Sequence, residues 1–141
     1  MSLQLVDYKY IKDQIQPGDI IAFSGKTFTD ELIKFVTRSN ISHICIVLKK
    51  SSDKTLNNKY LDCDQNLIIE AQSSVIINCL ENRINNYDGA IWWLPLKESI
   101  RANMNIKKYY DFILQQQGKL YDVPQAIKSA VDIFDKFPFF S

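Results

Sequence analysis

The 141-residue chain contains one histidine and three cysteines, Cys45, Cys63 and Cys79. No two cysteines form a CxxC pair, and with a single histidine a zinc site would need an unusual set of ligands. We therefore expect no metal and no cofactor. We also expect the cysteines to be free thiols, which suit a reducing compartment.

The chain also lacks an excess of charge, because 17 Lys and Arg residues stand against 16 Asp and Glu residues. These charges are scattered, so no basic patch indicates a nucleic-acid partner. Residues 1–10 mix charged side chains with isolated apolar ones and lack the continuous apolar run of a signal peptide or a membrane span. We expect no nucleic-acid partner, no stable membrane insertion and a cytoplasmic location.

Glycine is scarce, with four residues in the chain, and this affects the only segment that looks like a phosphate-binding loop. The sequence SGKT at 24–27 follows an apolar run, but the position where such a loop needs its first glycine is Ile20. Without that glycine, backbone N–H groups have no room to surround a phosphate. We therefore do not expect nucleotide hydrolysis.

Apolar residues are plentiful, at 46% of the chain, which is enough for one core and too little chain for two ordinary domains. We interpret residues 1–141 as a single domain. Short apolar segments predict five strands, at 20–23, 41–48, 67–71, 75–77 and 89–96. The polar stretch at 49–66 is expected to be a long connection with a little strand around Tyr60 and Leu61.

Three helices are predicted. Thr27 and Asp30 can cap the first, whose apolar residues Phe28, Leu32, Phe35 and Val36 share one face and which is expected to stop near Asn40. The second spans 103–117 and stops at Gly118, and the third spans 123–134. The pattern indicates an α+β domain with a mostly antiparallel sheet packed against helices.

Two polar side chains interrupt predicted strands. His43 lies among apolar residues on one strand and Glu70 on the next, and each needs a polar partner if it is buried. Neighbouring strands can bring them together, and a histidine held by a carboxylate through one ring nitrogen has the other free as a general base. In the alternative interpretation, His43 is a core histidine with its hydrogen bonds satisfied and Glu70 a surface residue on an edge strand.

Four short motifs follow one another along the chain: PGDII at 17–21, SHICIV at 42–47, IEA at 69–71 and GKLYD at 118–122. In this order they resemble the permuted NlpC-type, or YiiX-like, amidase and peptidase family. The resemblance implies a circularly permuted papain-like fold, an antiparallel sheet or half-barrel packed against helices. It makes His43 the general base and Glu70 its orienting residue, and it places Tyr121 near the substrate pocket.

The resemblance further implies a cysteine nucleophile in a Cys-Ser-Glu stretch after the last motif, and this chain has no such stretch. Cys45 lies two residues from His43 with a parallel side chain, so we assign it to core packing. Cys63 is flanked by two carboxylates and Cys79 has no basic neighbour in sequence, which disfavours a thiolate at either position. The apolar end at 137–141 suggests that a C-terminal nucleophile-bearing segment is missing.

The function expected from the sequence is therefore a cysteine hydrolase whose nucleophile is not in this chain. Its substrate would be a small molecule, a peptide or a lipid-like compound with an amide or ester bond. Two alternatives stay open: a degenerate, non-catalytic binding domain of the same fold, and a fragment that pairs with a second chain supplying the cysteine. The sequence does not predict an oligomeric state.

Overall fold

The computed structural model describes residues 5–50 and 58–120. The helices are α1 (Tyr8–Ile11), α2 (Phe28–Thr37), α3 (Leu80–Asn85), α4 (Glu98–Ala102) and α5 (Ile106–Gln116). The strands are β1 (Ile20–Gly25), β2 (His43–Val47), β3 (Leu67–Ala71), β4 (Val75–Cys79) and β5 (Gly89–Leu94). The helix predicted at 123–134 lies outside the described residues.

The strands form one five-stranded sheet in the order β4-β3-β2-β1-β5. All the pairings between neighbouring strands are antiparallel. The prediction of an α+β fold with an antiparallel sheet is thus confirmed. Because β2 and β3 are interior strands, their backbone groups are paired on both sides, and a polar side chain on a covered face must find partners within the protein.

The sheet carries a buried cluster on each face. On the first, which we call the site face, Phe23, Cys45 and Ile68 pack with α1 and α3. On the opposite face, Ile69 and Ile77 pack with the aromatic side of α5. No helix in the described ranges is long and apolar enough to cross a membrane.

Helix α2 differs in part from its prediction. Its N-terminus has the expected capping box between Thr27 and Asp30, but the helix ends at Thr37, and Arg38 adopts a left-handed conformation with a φ of 52°. Phe28 and Phe35 are 84% and 81% exposed. The predicted apolar face of α2 is therefore only partly buried against the sheet.

The connection before β3 corrects two predictions. Tyr60 and Leu61 lie in a turn and not in a strand, and the carbonyl of Tyr60 accepts a hydrogen bond from the backbone N–H of Cys63. Cys63 and Cys79 are joined by a disulfide, so the expectation of free thiols is wrong for these two. The bond connects this turn to the end of β4, and disulfides are rare in reducing compartments.

A buried aspartate holds the start of β1 in place. Asp19, 1% exposed, accepts hydrogen bonds from the backbone of Gln16 and Leu96 and from the indole of Trp93, and it forms an ion pair with Arg101 of α4. One carboxylate thereby connects three separate parts of the chain. The Pro-Gly-Asp motif at 17–19 therefore has a clear structural role at the end of the sheet remote from His43.

Replacing this carboxylate should be costly. We expect Asp19→Ala to lower the free energy of unfolding by about 3–5 kcal/mol, because Arg101 and several N–H groups are left without their acceptor. The exposed Asp88, which pairs with Lys26 at the surface, provides a control whose alanine variant should change stability by less than about 1 kcal/mol. Denaturant titrations measure both values, and equal effects would contradict the assignment.

Candidate active site

His43 and Glu70 meet because of the sheet register. Cys45 lies directly opposite Glu70 in the β2–β3 pair, and His43 is two residues from Cys45 on the same face of the sheet. His43 is therefore a diagonal neighbour of Glu70, a separation that long side chains can bridge. The Nε2 atom of His43 lies 2.6 Å from Oε2 of Glu70.

The carboxylate of Glu70 is buried and bound on several sides. Its side chain is 0% exposed. Besides the imidazole, it accepts hydrogen bonds from Asn78 Nδ2 at 2.6 Å, Arg83 Nε at 2.9 Å and Gln72 Nε2 at 3.2 Å. These donors come from β4, α3 and the β3–β4 turn, so Glu70 is not the exposed edge-strand residue of the alternative interpretation.

This environment keeps Glu70 ionised. Burial by itself would raise the pKa of the carboxyl, but hydrogen bonds from His43, Arg83 and Asn78, together with the charge of Arg83, outweigh it and lower the pKa to about 2. An ionised carboxylate has no proton to donate, so the proton between the two groups belongs to Nε2. The Nδ1 atom of a neutral His43 ring is then free to accept a proton.

This arrangement uses the imidazole in the opposite sense from a Ser-His-Asp triad, in which the carboxylate binds Nδ1 and Nε2 acts as the base. The His43 side chain is 23% exposed, whereas Glu70 is enclosed. The ring also packs against Phe23, with the ring centroids 5.7 Å apart. Glu70 is thus held inside the protein, whereas the His43 ring is partly open to solvent, where a reacting group can approach it.

The lowered pKa of Glu70 predicts a loss of stability in acid. Glu70 binds its proton more weakly in the folded chain than in the unfolded chain, so its contribution is complete above about pH 4.5 and disappears as the pH falls towards 2. The contribution amounts to about 3 kcal/mol. Unfolding titrations between pH 7 and pH 2 should show this decline in the wild type.

The Glu70→Gln variant should lack this component of the pH dependence, because glutamine does not titrate. The Asp88→Ala variant, altered at the surface, should retain it. Identical pH profiles for the wild type and Glu70→Gln would contradict the ionised state assigned to Glu70.

None of the three cysteines offers a nucleophile. Cys45 is buried, at 1% exposure, and burial and the nearby charge of Glu70 raise the pKa of its thiol. Cys63 and Cys79 are consumed by their disulfide. Together with Asp64 they form the one group of three possible metal ligands in the described part of the chain, and the disulfide leaves neither sulfur available as a thiolate.

Iodoacetamide labelling followed by mass spectrometry tests this assignment. We expect no adduct in the native protein within minutes at neutral pH, because Cys45 is inaccessible and poorly ionised. Unfolding without reductant should give one adduct, and unfolding with reductant should give three. Fast native labelling of Cys45 that depends on His43 would mean that Cys45 is the nucleophile.

The other candidates from the sequence either make structural contacts or lie outside the described residues. In the SGKT segment, Thr27 caps α2 and Lys26 pairs with Asp88. Tyr121 lies outside the described residues. Leu120, immediately before it, forms an isolated β-bridge with Ser74 at the β3–β4 turn. His43, the first residue of β2, lies at this same end of the sheet.

Sequence reasoning missed three residues that bind Glu70. Asn78 could have been recognised as a polar residue in the apolar segment VIINC at 75–79. Gln72 lies between the strands predicted at 67–71 and 75–77, and no local pattern marks it as a partner of Glu70. Arg83 gave no signal, because α3 has six residues and no apolar repeat long enough to predict a helix.

No protein-family model matches this chain, and no curated protein matches it. The contacts among His43, Glu70 and Arg83 are therefore the basis for a functional proposal, and membership of the permuted NlpC-type family stays a proposal.

Proposed function

We propose that this chain is a permuted papain-like domain of NlpC type whose His43 and Glu70 serve a cysteine hydrolase reaction on an amide or ester bond. His43 is the general base and Glu70 its orienting residue. The observation that supports this most is the 2.6 Å contact between Nε2 of a partly exposed His43 and a fully buried, ionised Glu70. Such a pair leaves one ring nitrogen available to remove a proton from a thiol.

The order of the motifs in space supports the same proposal. The Pro-Gly-Asp segment leads into β1, the Ser-His motif opens β2, and the glutamate lies on β3, so the three motifs lie on neighbouring strands. Lys119, in the fourth motif, binds the start of β4, where its carbonyl accepts a hydrogen bond from the Val75 N–H. We keep Tyr121, two residues further on, as the proposed pocket residue.

In this proposal the nucleophile is not one of the chain's own cysteines. The reaction needs a thiol that loses its proton to Nδ1 of His43, attacks the carbonyl carbon and expels an amine or alcohol that takes the proton back. Water then hydrolyses the acyl-thiol intermediate and frees the thiol. The cytoplasmic location belongs to the same proposal, and the disulfide between Cys63 and Cys79 weighs against it.

The second candidate is a non-catalytic binding domain that keeps the fold and the polar pair. A specific observation favours it, namely that Cys45 is buried and the other two cysteines are bonded to each other. A domain of this kind would use the partly exposed His43 ring to hold the polar group of a ligand.

A small thiol added in solution separates the two candidates. With an activated aryl ester as substrate, the wild type should accelerate thiol-dependent release of the aryl alcohol about tenfold over His43→Gln. This is below the usual range for a positioned general base, because a free thiol is not held in place. Glu70→Gln should reduce the acceleration, and Asp88→Ala should leave it unchanged.

If the wild type and His43→Gln give the same thiol-dependent rate, the hydrolase proposal fails. The binding-domain candidate is then tested with non-reactive amide and ester compounds, using the ring signals of His43 as the probe. Since the chain contains a single histidine, these signals need no assignment by mutation.

A further inference from the structure

We propose that Arg83 is a positioning residue that supplies the positive charge Glu70 requires, so that His43 can lie against a buried carboxylate as a neutral, proton-accepting ring. This inference rests on the proposed role of His43 as a base. It adds a third member to the polar pair and assigns it a task that neither Asn78 nor Gln72, which are uncharged, can perform.

Arg83 donates hydrogen bonds to both carboxylate oxygens of Glu70. Its Nε lies 2.9 Å from Oε1 and 3.3 Å from Oε2 of Glu70, and its Nη2 lies 3.2 Å from Oε2. A planar guanidinium that meets both oxygens restricts rotation of the carboxylate as well as neutralising it. The same Oε2 atom receives the hydrogen bond from His43, so Arg83 fixes the acceptor towards which the ring is oriented.

Two aromatic rings hold the guanidinium itself. Its central carbon lies 5.0 Å from the ring centroid of Phe23 and 5.4 Å from that of Tyr87. The two rings meet edge to face, with their centroids 4.9 Å apart. Phe23 also contacts the His43 ring, so one aromatic side chain packs against two of the groups that bind Glu70, the imidazole and the guanidinium. Stacking of this kind favours arginine over lysine.

The need for a second cation follows from burial. An isolated carboxylate with no exposed surface is strongly unfavourable and requires a positive partner. If that partner were the imidazolium of His43, the ring would already carry the proton that a general base must accept. Arg83 removes this requirement, because its guanidinium stays charged throughout the accessible pH range.

Nitrogen NMR of ¹⁵N-labelled protein at neutral pH tests the inference, since the single histidine gives one pair of ring signals. The wild type should show a ring whose Nε2 carries a proton, because Oε2 of Glu70 lies 2.6 Å from it. In Arg83→Met, which keeps an unbranched apolar stem but removes the guanidinium and its charge, the ratio of doubly to singly protonated ring should rise about tenfold or more at fixed pH.

Arg101→Met is the matched control, because it also removes a guanidinium from a buried carboxylate, Asp19, at the other end of the sheet. It should leave the ring signals of His43 unchanged, so a general loss of stability cannot produce the expected result. An Arg83→Met variant that folds and keeps the wild-type ring pattern would overturn the inference.

Arg83→Lys provides a second variant in case the methionine variant does not fold. Lysine keeps the charge but not the two-point grip, so the ring should stay singly protonated while its Nε2 proton exchanges with water faster than in the wild type. Unchanged exchange would contradict the positioning role.

The outcome is distinct from that of the proposed function, because the NMR signature requires no turnover. If His43-dependent thiol chemistry is absent but the ring responds to Arg83, the hydrolase proposal fails and Arg83 remains the residue that organises a binding site. If the chemistry is present and the ring is indifferent to Arg83, this inference fails alone.

Discussion

The buried negative charge of Glu70 is the constraint on which this structure depends. A carboxylate with no exposed surface is tolerated only when donors surround it. Here the donors come from two neighbouring strands, the turn that joins β3 to β4, and a short helix. The strand order, the register and the position of α3 must all be correct for the carboxylate to receive these hydrogen bonds. Formation of the site therefore depends on the fold of the whole sheet.

Each end of the sheet contains a buried carboxylate that an arginine neutralises, but the two sites differ in their exposure to solvent. At one end Asp19, with Arg101 and Trp93, is enclosed and only connects parts of the chain. At the other end Glu70 binds both Arg83 and the imidazole of His43, which is partly exposed at the surface. A buried acid paired with an arginine stabilises the fold in both places. The Glu70 site differs because it also contains a partly exposed histidine, a side chain suited to acid–base chemistry.

Much of the sheet could be predicted from the sequence, because apolar runs and turn residues are local signals. The strands near Ile20, His43 and Glu70 were located in this way, as was the capping box of α2. A contact between His43 and Glu70 could be anticipated from adjacent strands. The identity of the ring nitrogen that contacts Glu70, Nε2, could not be anticipated, because it depends on side-chain geometry and not on the sequence pattern.

The features that were missed depend on contacts between distant parts of the chain. The Arg83 interaction links a six-residue helix to the sheet, and no periodic signal marks a helix so short. The disulfide joins residues 16 positions apart, and spacing alone does not reveal which cysteines meet. The strand expected at Tyr60 and Leu61 does not form, and both residues lie in the turn that leads to Cys63.

The disulfide has a topological consequence for the site. The covalent ring closed by Cys63 and Cys79 contains all of β3 and the hairpin that follows it, and therefore Glu70, Gln72 and Asn78. A protease that cuts the backbone once anywhere within this ring produces a nicked protein, not two separate fragments. The carboxylate and two of its donors then stay tethered to both halves of the molecule, so limited proteolysis of the hairpin would go unnoticed on a gel unless the sample were reduced.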